Sequence, residues 1–201
     1  MKHTDWPAYY EVTAERPAWS TVVMASEAFG ESPRTQPARA AVDLGCGAGR
    51  DARELLRRGW QVLAVDMEAA AIETLRALTP EVQRDRLTTE VSDLASFRIP
   101  ACDLVNASLS LPYLPPDDFH TVWGRILAAI SPEGRFAGML FGDQDQSADE
   151  SGMTCPPAAT IRDYLKGFEI ESWREWEEDG ETALGEPHHF HNIEVVAVRG
   201  M

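Results

Sequence analysis

The sequence predicts an α/β fold: a doubly wound, mostly parallel seven-stranded sheet with helices on both faces and an antiparallel strand at its C-terminal end. Three observations carry this. Short apolar runs alternate with helical patterns from about residue 40 onward, the signature of a parallel sheet covered on both sides. A glycine-rich turn joins the first apolar run to the first helical pattern. The last two runs flank Asp179-Gly180, a hairpin signal that turns the chain back antiparallel.

The elements follow in order. Residues 1–37 hold Trp6, Tyr9, Tyr10, Arg16 and Trp19 and form an N-terminal cap segment before a core at 38–201, the two making one domain. Residues 40–44 are a buried strand ending at Gly45. Residues 50–58 place Ala52, Leu55 and Leu56 on one helical face and stop at Gly59, as helices do. A second strand spans 61–66, and an alanine- and leucine-rich helix at 68–78 ends before Pro80. Strands follow at 87–92 and 103–107. A helix at 118–130 carries Phe119, Val122, Ile126 and Leu127 at helical spacing. A fifth strand covers 134–141 after a Pro-Glu-Gly turn. The acidic stretch 142–157 reads as a loop, 160–165 as a short helix, and 168–176 and 194–198 as the last strands.

Composition removes several functions. The 201 residues are 44% hydrophobic and 25% charged, ordinary values that exclude disordered and collagen-like chains. Cys46, Cys102 and Cys155 form no CxxC pair, so they read as reduced thiols and not as zinc ligands or a disulfide framework. The net charge of −15 repels nucleic-acid backbones and anionic membranes alike. A small molecule is the expected partner. No run reaches the roughly 18 apolar residues of a membrane helix, and the N-terminus has no signal-peptide core. Cytoplasmic residence is expected, as a monomer or homodimer.

The most specific segment is Val42-Asp43-Leu44-Gly45-Cys46-Gly47-Ala48-Gly49-Arg50. Glycines there permit a tight turn and let backbone N–H groups approach a ligand at a helix N-terminus. A dinucleotide fingerprint needs GxGxxG. The spacing Gly45, Gly47, Gly49 followed by Arg50 misses it by one residue, which leaves a nucleoside cofactor without a pyrophosphate. Asp66 ends the second strand, placed to accept from vicinal ribose hydroxyls. Asp93, followed by Leu94, ends the third, placed to accept from an adenine amino group. Ligands of such sheets lie at the carboxyl ends of the strands.

These stretches resemble the class I S-adenosylmethionine-dependent methyltransferases. The stretch 43–49 is similar to their first motif, Val65-Asp66-Met67 to their second and Ser92-Asp93-Leu94 to their third. Gly49-Arg50-Asp51-Ala52, Ser110-Leu111-Pro112-Tyr113 and His188-His189-Phe190-His191 resemble small bacterial stand-alone enzymes related to the tellurite-resistance methyltransferases. The resemblance implies a Rossmann-like core and methyl transfer from S-adenosylmethionine to a small acceptor. The expected cofactor residues are Tyr10, Arg16, Asp43, Gly45, Cys46, Gly47, Asp66, Met67, Asp93, Leu94 and Asn106. Asn106 is not followed by Pro-Pro-Tyr, which argues against amide-nitrogen methylation of DNA bases.

Tyr113 and His189 are candidates for the substrate pocket; no catalytic residue is assigned. The histidines at 188, 189 and 191 lack companion metal-ligand spacing, and no metal is expected. Each residue also has a plainer role. Asp66 alone could cap the next helix, and Asp93 alone could be a solvated loop acid. The N-terminal aromatics could simply pack on the sheet. Two other functions stay open: a non-catalytic nucleoside-binding or regulatory module on the same fold, and an NAD-dependent oxidoreductase.

Overall fold

A computed structural model describes residues 5–30 and 38–201. The expected boundary between cap and core, at 37 and 38, therefore touches residues outside that description. The order of elements is α1 (Trp6–Thr13), α2 (Ser20–Ala28), β1 (Ala40–Leu44), α3 (Arg50–Arg57), β2 (Gln61–Asp66), α4 (Ala69–Leu78), α5 (Glu81–Arg84) and β3 (Leu87–Val91). Then come β4 (Cys102–Ser108), α6 (Pro116–Ala129), β5 (Ile130–Phe141), α7 (Ala158–Tyr164), β6 (Phe168–Glu181) and β7 (Pro187–Arg199). Single 3₁₀ turns sit at Leu111–Tyr113 and Gln146–Asp149.

Seven strands form one sheet in the order β3-β2-β1-β4-β5-β7-β6. The first five neighbours run parallel, and β7 is antiparallel to both β5 and β6. Sequence order reverses between β1 and β4. That switch point is where the loops after two neighbouring strands diverge and leave a crevice.

The apolar runs explain the layering. Val42, Leu44, Val65 and Val105 face a core that includes Phe119, Trp123, Ile126 and Phe136. Ala41, Val62, Ala64 and Leu104 face a second core with Val22, Leu55, Leu56 and Leu75. Alternation along each strand thus feeds two hydrophobic layers, one on each side of the sheet.

Two sequence expectations change. Asp179 and Gly180 lie inside β6, paired with His189 and His188. The hairpin turns later, at 182–186. There Thr182 N–H donates to the Glu186 carbonyl at 2.8 Å, and Gly185 adopts φ 80°. A strong turn dipeptide was overridden because cross-strand pairing continues past it. The stretch 142–157 is also more than a loop. Asp145 is buried, and its Oδ1 accepts from Ser147 N–H at 2.9 Å and lies 3.0 Å from His188 Nε2. Its Oδ2 accepts from His191 N–H at 3.1 Å. One carboxylate therefore pins the segment to β7.

Candidate functional site

The chain leaves β1 into the glycine turn, which closes against the end of β2. The N–H groups of Gly45 and Cys46 both donate to the Val65 carbonyl, at 2.8 and 3.0 Å. Gly47 N–H donates to Asp66 Oδ2 at 2.8 Å, and Glu68 N–H to Oδ1 at 2.9 Å. The sequence suggested amides turned toward a ligand; these instead point into the sheet end. Asp66 thereby joins the turn to the start of α4, and the Tyr10 hydroxyl also bonds to its carboxylate. Burial raises its pKa, and the Glu68, Gly47 and Met67 amides and the Tyr10 hydroxyl oppose that rise.

Gly45, Gly47 and Gly49 all have positive φ and no room for a Cβ. Gly49 has φ 80°, and a Cβ there would stand 2.2 Å from Leu75 Cδ1, so α3 and α4 meet only across a bare backbone. Gly47 has φ 51°, and a Cβ there would lie 3.0 Å from the Tyr10 ring. The outer side of the turn is thus covered by Tyr10 of α1. Tyr10 accordingly lies beside both Gly47 and Asp66, and burial raises its own pKa.

Beneath the turn lies a buried polar cluster. Asn106 is fully buried, and its amide donates to Asp43 Oδ1 at 2.8 Å and to Asp51 Oδ2 at 3.0 Å. Asp51 Oδ1 accepts from Trp19 N–H at 2.9 Å, and Ser108 Oγ donates to Asn106 Oδ1 at 3.3 Å. Asp43 Oδ2 is buried with no hydrogen-bond partner. Burial, then repulsion from Asp51, pushes the Asp43 carboxyl up to about 8. Burial and the acids at 43 and 66 raise the Cys46 thiol, which keeps it protonated and unreactive.

At the neighbouring strand ends, β2 and β3 pair Asp66 with Val91. Met67 is 65% exposed and Val91 52%, so two apolar side chains stand in solvent at adjacent strand ends. Asp93 follows on the same edge and is exposed, its Oδ1 accepting from Ala95 N–H at 2.9 Å. Leu94 packs against the first core. Asp66 and Asp93 therefore belong to one carboxyl edge of the sheet.

On the other side of the turn, aromatic rings gather. Trp6 stacks near Tyr10 and meets Tyr113 edge-on at 5.0 Å, while Tyr113 meets Phe141 at 6.2 Å. Burial, followed by Tyr9, Asp145, Glu150 and Cys155, raises the Tyr113 hydroxyl. Arg16 is exposed beyond α1 and touches neither the turn nor Asp66 through any side-chain bond. Arg50 is the cation beside the turn. It donates to the Pro17 carbonyl and stacks over Trp19 at 4.3 Å, which locks the α1–α2 connection onto α3. His189 sits on the hairpin with Asp179 at 2.7 Å and Glu177 at 3.7 Å, so its partners are hairpin acids and not the aromatic cluster. His191 Nδ1 accepts from Gln144 N–H at 3.1 Å, so Nε2 carries the proton that faces Glu175 at 3.3 Å.

Sequence reading missed three contributors. Asp51, Trp19 and Ser108 enter the cluster only because α3, the cap and β4 converge below the turn. Ser110 Oγ donates to the Leu44 carbonyl at 2.6 Å after Leu109 takes φ 58°, a strained conformation for a bulky residue. No periodicity announces such a kink.

Comparison with known proteins bears on this geometry. The family profile described as "Methyltransferase domain" matches residues 41–134, which span β1 to the start of β5. A ubiquinone biosynthesis O-methyltransferase from Xanthomonas axonopodis pv. citri is 36% identical over 153 residues, 71% of this chain and 63% of that protein. A magnesium-protoporphyrin O-methyltransferase from Rhodobacter capsulatus is 34% identical over 89 residues, 44% of this chain and 38% of that protein. The chain thus spans between 38% and 63% of the length of these two relatives. Among solved structures, TehB from Haemophilus influenzae superposes with a TM-score of 0.72 at 17% identity, covering 89% of this chain and 61% of that one. At that identity the likeness establishes the fold.

Proposed function

We propose that the protein, whose residues 41–134 match the profile of a methyltransferase domain, uses S-adenosylmethionine to methylate a small-molecule acceptor. The observation that carries the proposal is the turn at 45–49, tied by Asp66 to the next strand end and floored by the partnerless Asp43 oxygen. The residues fit the cofactor. A buried acceptor without a partner suits a cation, and the Asp66 carboxylate suits a sugar diol that takes the place of the Tyr10 hydroxyl. The exposed side chains of Met67 and Val91 suit the face of a planar base. Asp93 stands at the same edge with one oxygen outside its turn bond. Gly45, Cys46, Gly47, Leu94 and Asn106 shape the cradle around these groups.

When bound, S-adenosylmethionine supplies a methyl group on a sulfonium that is already an activated leaving group. The protein's task is then alignment and exclusion of water. The aromatic rings of Trp6, Tyr10, Tyr113 and Phe141 provide the dry side of the site. A base is required only for an acceptor that begins protonated. His188, His189 and His191 each face a carboxylate, which orients an imidazole, and no catalytic base is assigned. No described helix is long and apolar enough to cross a membrane, and the charge of −15 disfavours nucleic acid.

Calorimetry with S-adenosylhomocysteine and with NAD, followed by turnover on a panel of thiols, amines, phenols and chalcogen oxyanions, tests the reading. Binding of the sulfur ligand and turnover of one acceptor class are expected. Tight NAD binding without the sulfur ligand would make the protein an oxidoreductase. Binding without turnover on any acceptor would make it a binding module.

A further inference from the structure

Two buried carboxylates, Asp43 on β1 and Asp51 at the start of α3, are bridged by one amide. Asn106 donates to both, and the amide cannot neutralise two negative charges. The charged and titratable groups around the pair are few. Arg50 favours the ionised form of Asp51, but its guanidinium is bonded to Pro17 and stacked on Trp19 and does not act on Asp43. Asp66 from β2 and the Cys46 thiol from the turn face Asp43, while Asn106 and Ser108 come from β4. Trp19 adds one backbone N–H from the cap to Asp51, and Ala52 of α3 adds one to Asp43. None of these supplies a full positive charge to Asp43. Carboxylates that share a desolvated site without a cation do not both ionise freely. The partnerless Asp43 Oδ2 is where the missing positive charge belongs.

We infer that Asp51 is a positioning residue for the cofactor: through Asn106 it makes the ligand-free Asp43–Asp51 pair hold one proton, which leaves to solvent when a cationic ligand binds against the glycine turn. The inference rests on the proposed S-adenosylmethionine site, whose amino-acid portion carries an ammonium. The O–H bond of the carboxylic acid breaks, the proton passes to buffer, and the ammonium replaces its charge. Asp51 thus acts as a selector for ligands that bring a positive charge to the turn. A neutral ligand leaves the proton in place. The raised carboxyl of Asp43, at about 8, agrees with protonation of the ligand-free pair near neutrality.

The test is calorimetry of S-adenosylhomocysteine binding near neutral pH in two buffers of different ionisation enthalpy, with affinity measured from about pH 6 to 8.5. Release of about one proton is expected. Affinity should strengthen nearly tenfold per pH unit at the acid end and flatten above about pH 8, because the free form holds the proton and the complex does not. The isosteric Asp51→Asn chain should lose most of this pH dependence and release less than half as much proton. A purely structural role would leave the proton count unchanged. Wild-type binding with equal enthalpy in both buffers and a flat pH profile would overturn the inference while leaving the methyltransferase reading intact. Failure of the wild-type chain to bind S-adenosylhomocysteine at all would remove both.

Discussion

Asp66 offers the sharpest test of the cradle. Replacement by alanine removes the acceptor of two backbone N–H groups, those of Gly47 at 2.8 Å and Glu68 at 2.9 Å. Hydrogen bonds to a charged acceptor contribute about 1.5–3 kcal/mol each. Burial opposes this, since it raises the carboxyl pKa and so disfavours the charged form. The net loss of stability should be about 1–3 kcal/mol, and at this chain length each kcal/mol lowers Tm by about 2–4 °C. The variant also lacks the carboxylate proposed to hold the sugar, so affinity for S-adenosylhomocysteine should fall about 5–150-fold, equivalent to about 1–3 kcal/mol. Calorimetry and thermal melts of the same preparation separate the two effects. Asp66→Asn, which keeps one acceptor oxygen, should fall between wild type and alanine in both. A folded Asp66→Ala chain with wild-type affinity would refute the role assigned to this carboxylate. A lowered Tm with unchanged affinity would reduce Asp66 to a brace for the turn.

Three further outcomes are expected. Gly49→Ala forces a side chain into φ 80° and within 2.2 Å of Leu75 Cδ1; it should cost about 2–4 kcal/mol by denaturant titration, and a wild-type midpoint would show that α3 and α4 separate freely. Tyr10→Ala uncovers Gly47 and should speed association of S-adenosylhomocysteine several-fold by stopped flow; an unchanged association rate would mean the ring does not gate the turn. The third concerns pH. Because the folded pKa of Asp43 lies above its unfolded value of 3.8, the folded chain binds more protons between the two, and stability falls as pH rises from about 4 to 8. Asp43→Asn should flatten that fall in ligand-free thermal melts between about pH 5 and 8.5; an identical slope in both chains would place the titrating group elsewhere.

Strand positions were legible because parallel strands buried on both faces read as short apolar runs, as at Val42, Leu44 and Val65. The first two strands match the sequence reading residue for residue. Longer elements were not readable to their ends. β6 continues to Glu181 through Asp179-Gly180, because its partner in β7 supplies the pairing that local turn propensity opposes. The ordering of 142–157 hangs on Asp145, whose role no local pattern marks.

For the site, the turn and its strand-end acids were readable from local pattern. Glycine spacing and a carboxylate at a strand terminus are local facts, and the backbone there leaves few alternatives. Which partners those groups meet follows only from packing. Packing placed Asp51, fifty-five residues from Asn106, on the same amide as Asp43. It laid Tyr10 across Gly47 and left Arg16 in solvent. Such contacts join segments far apart in the chain, so their energies depend on how helices seat against the sheet and not on the identity of neighbours in sequence.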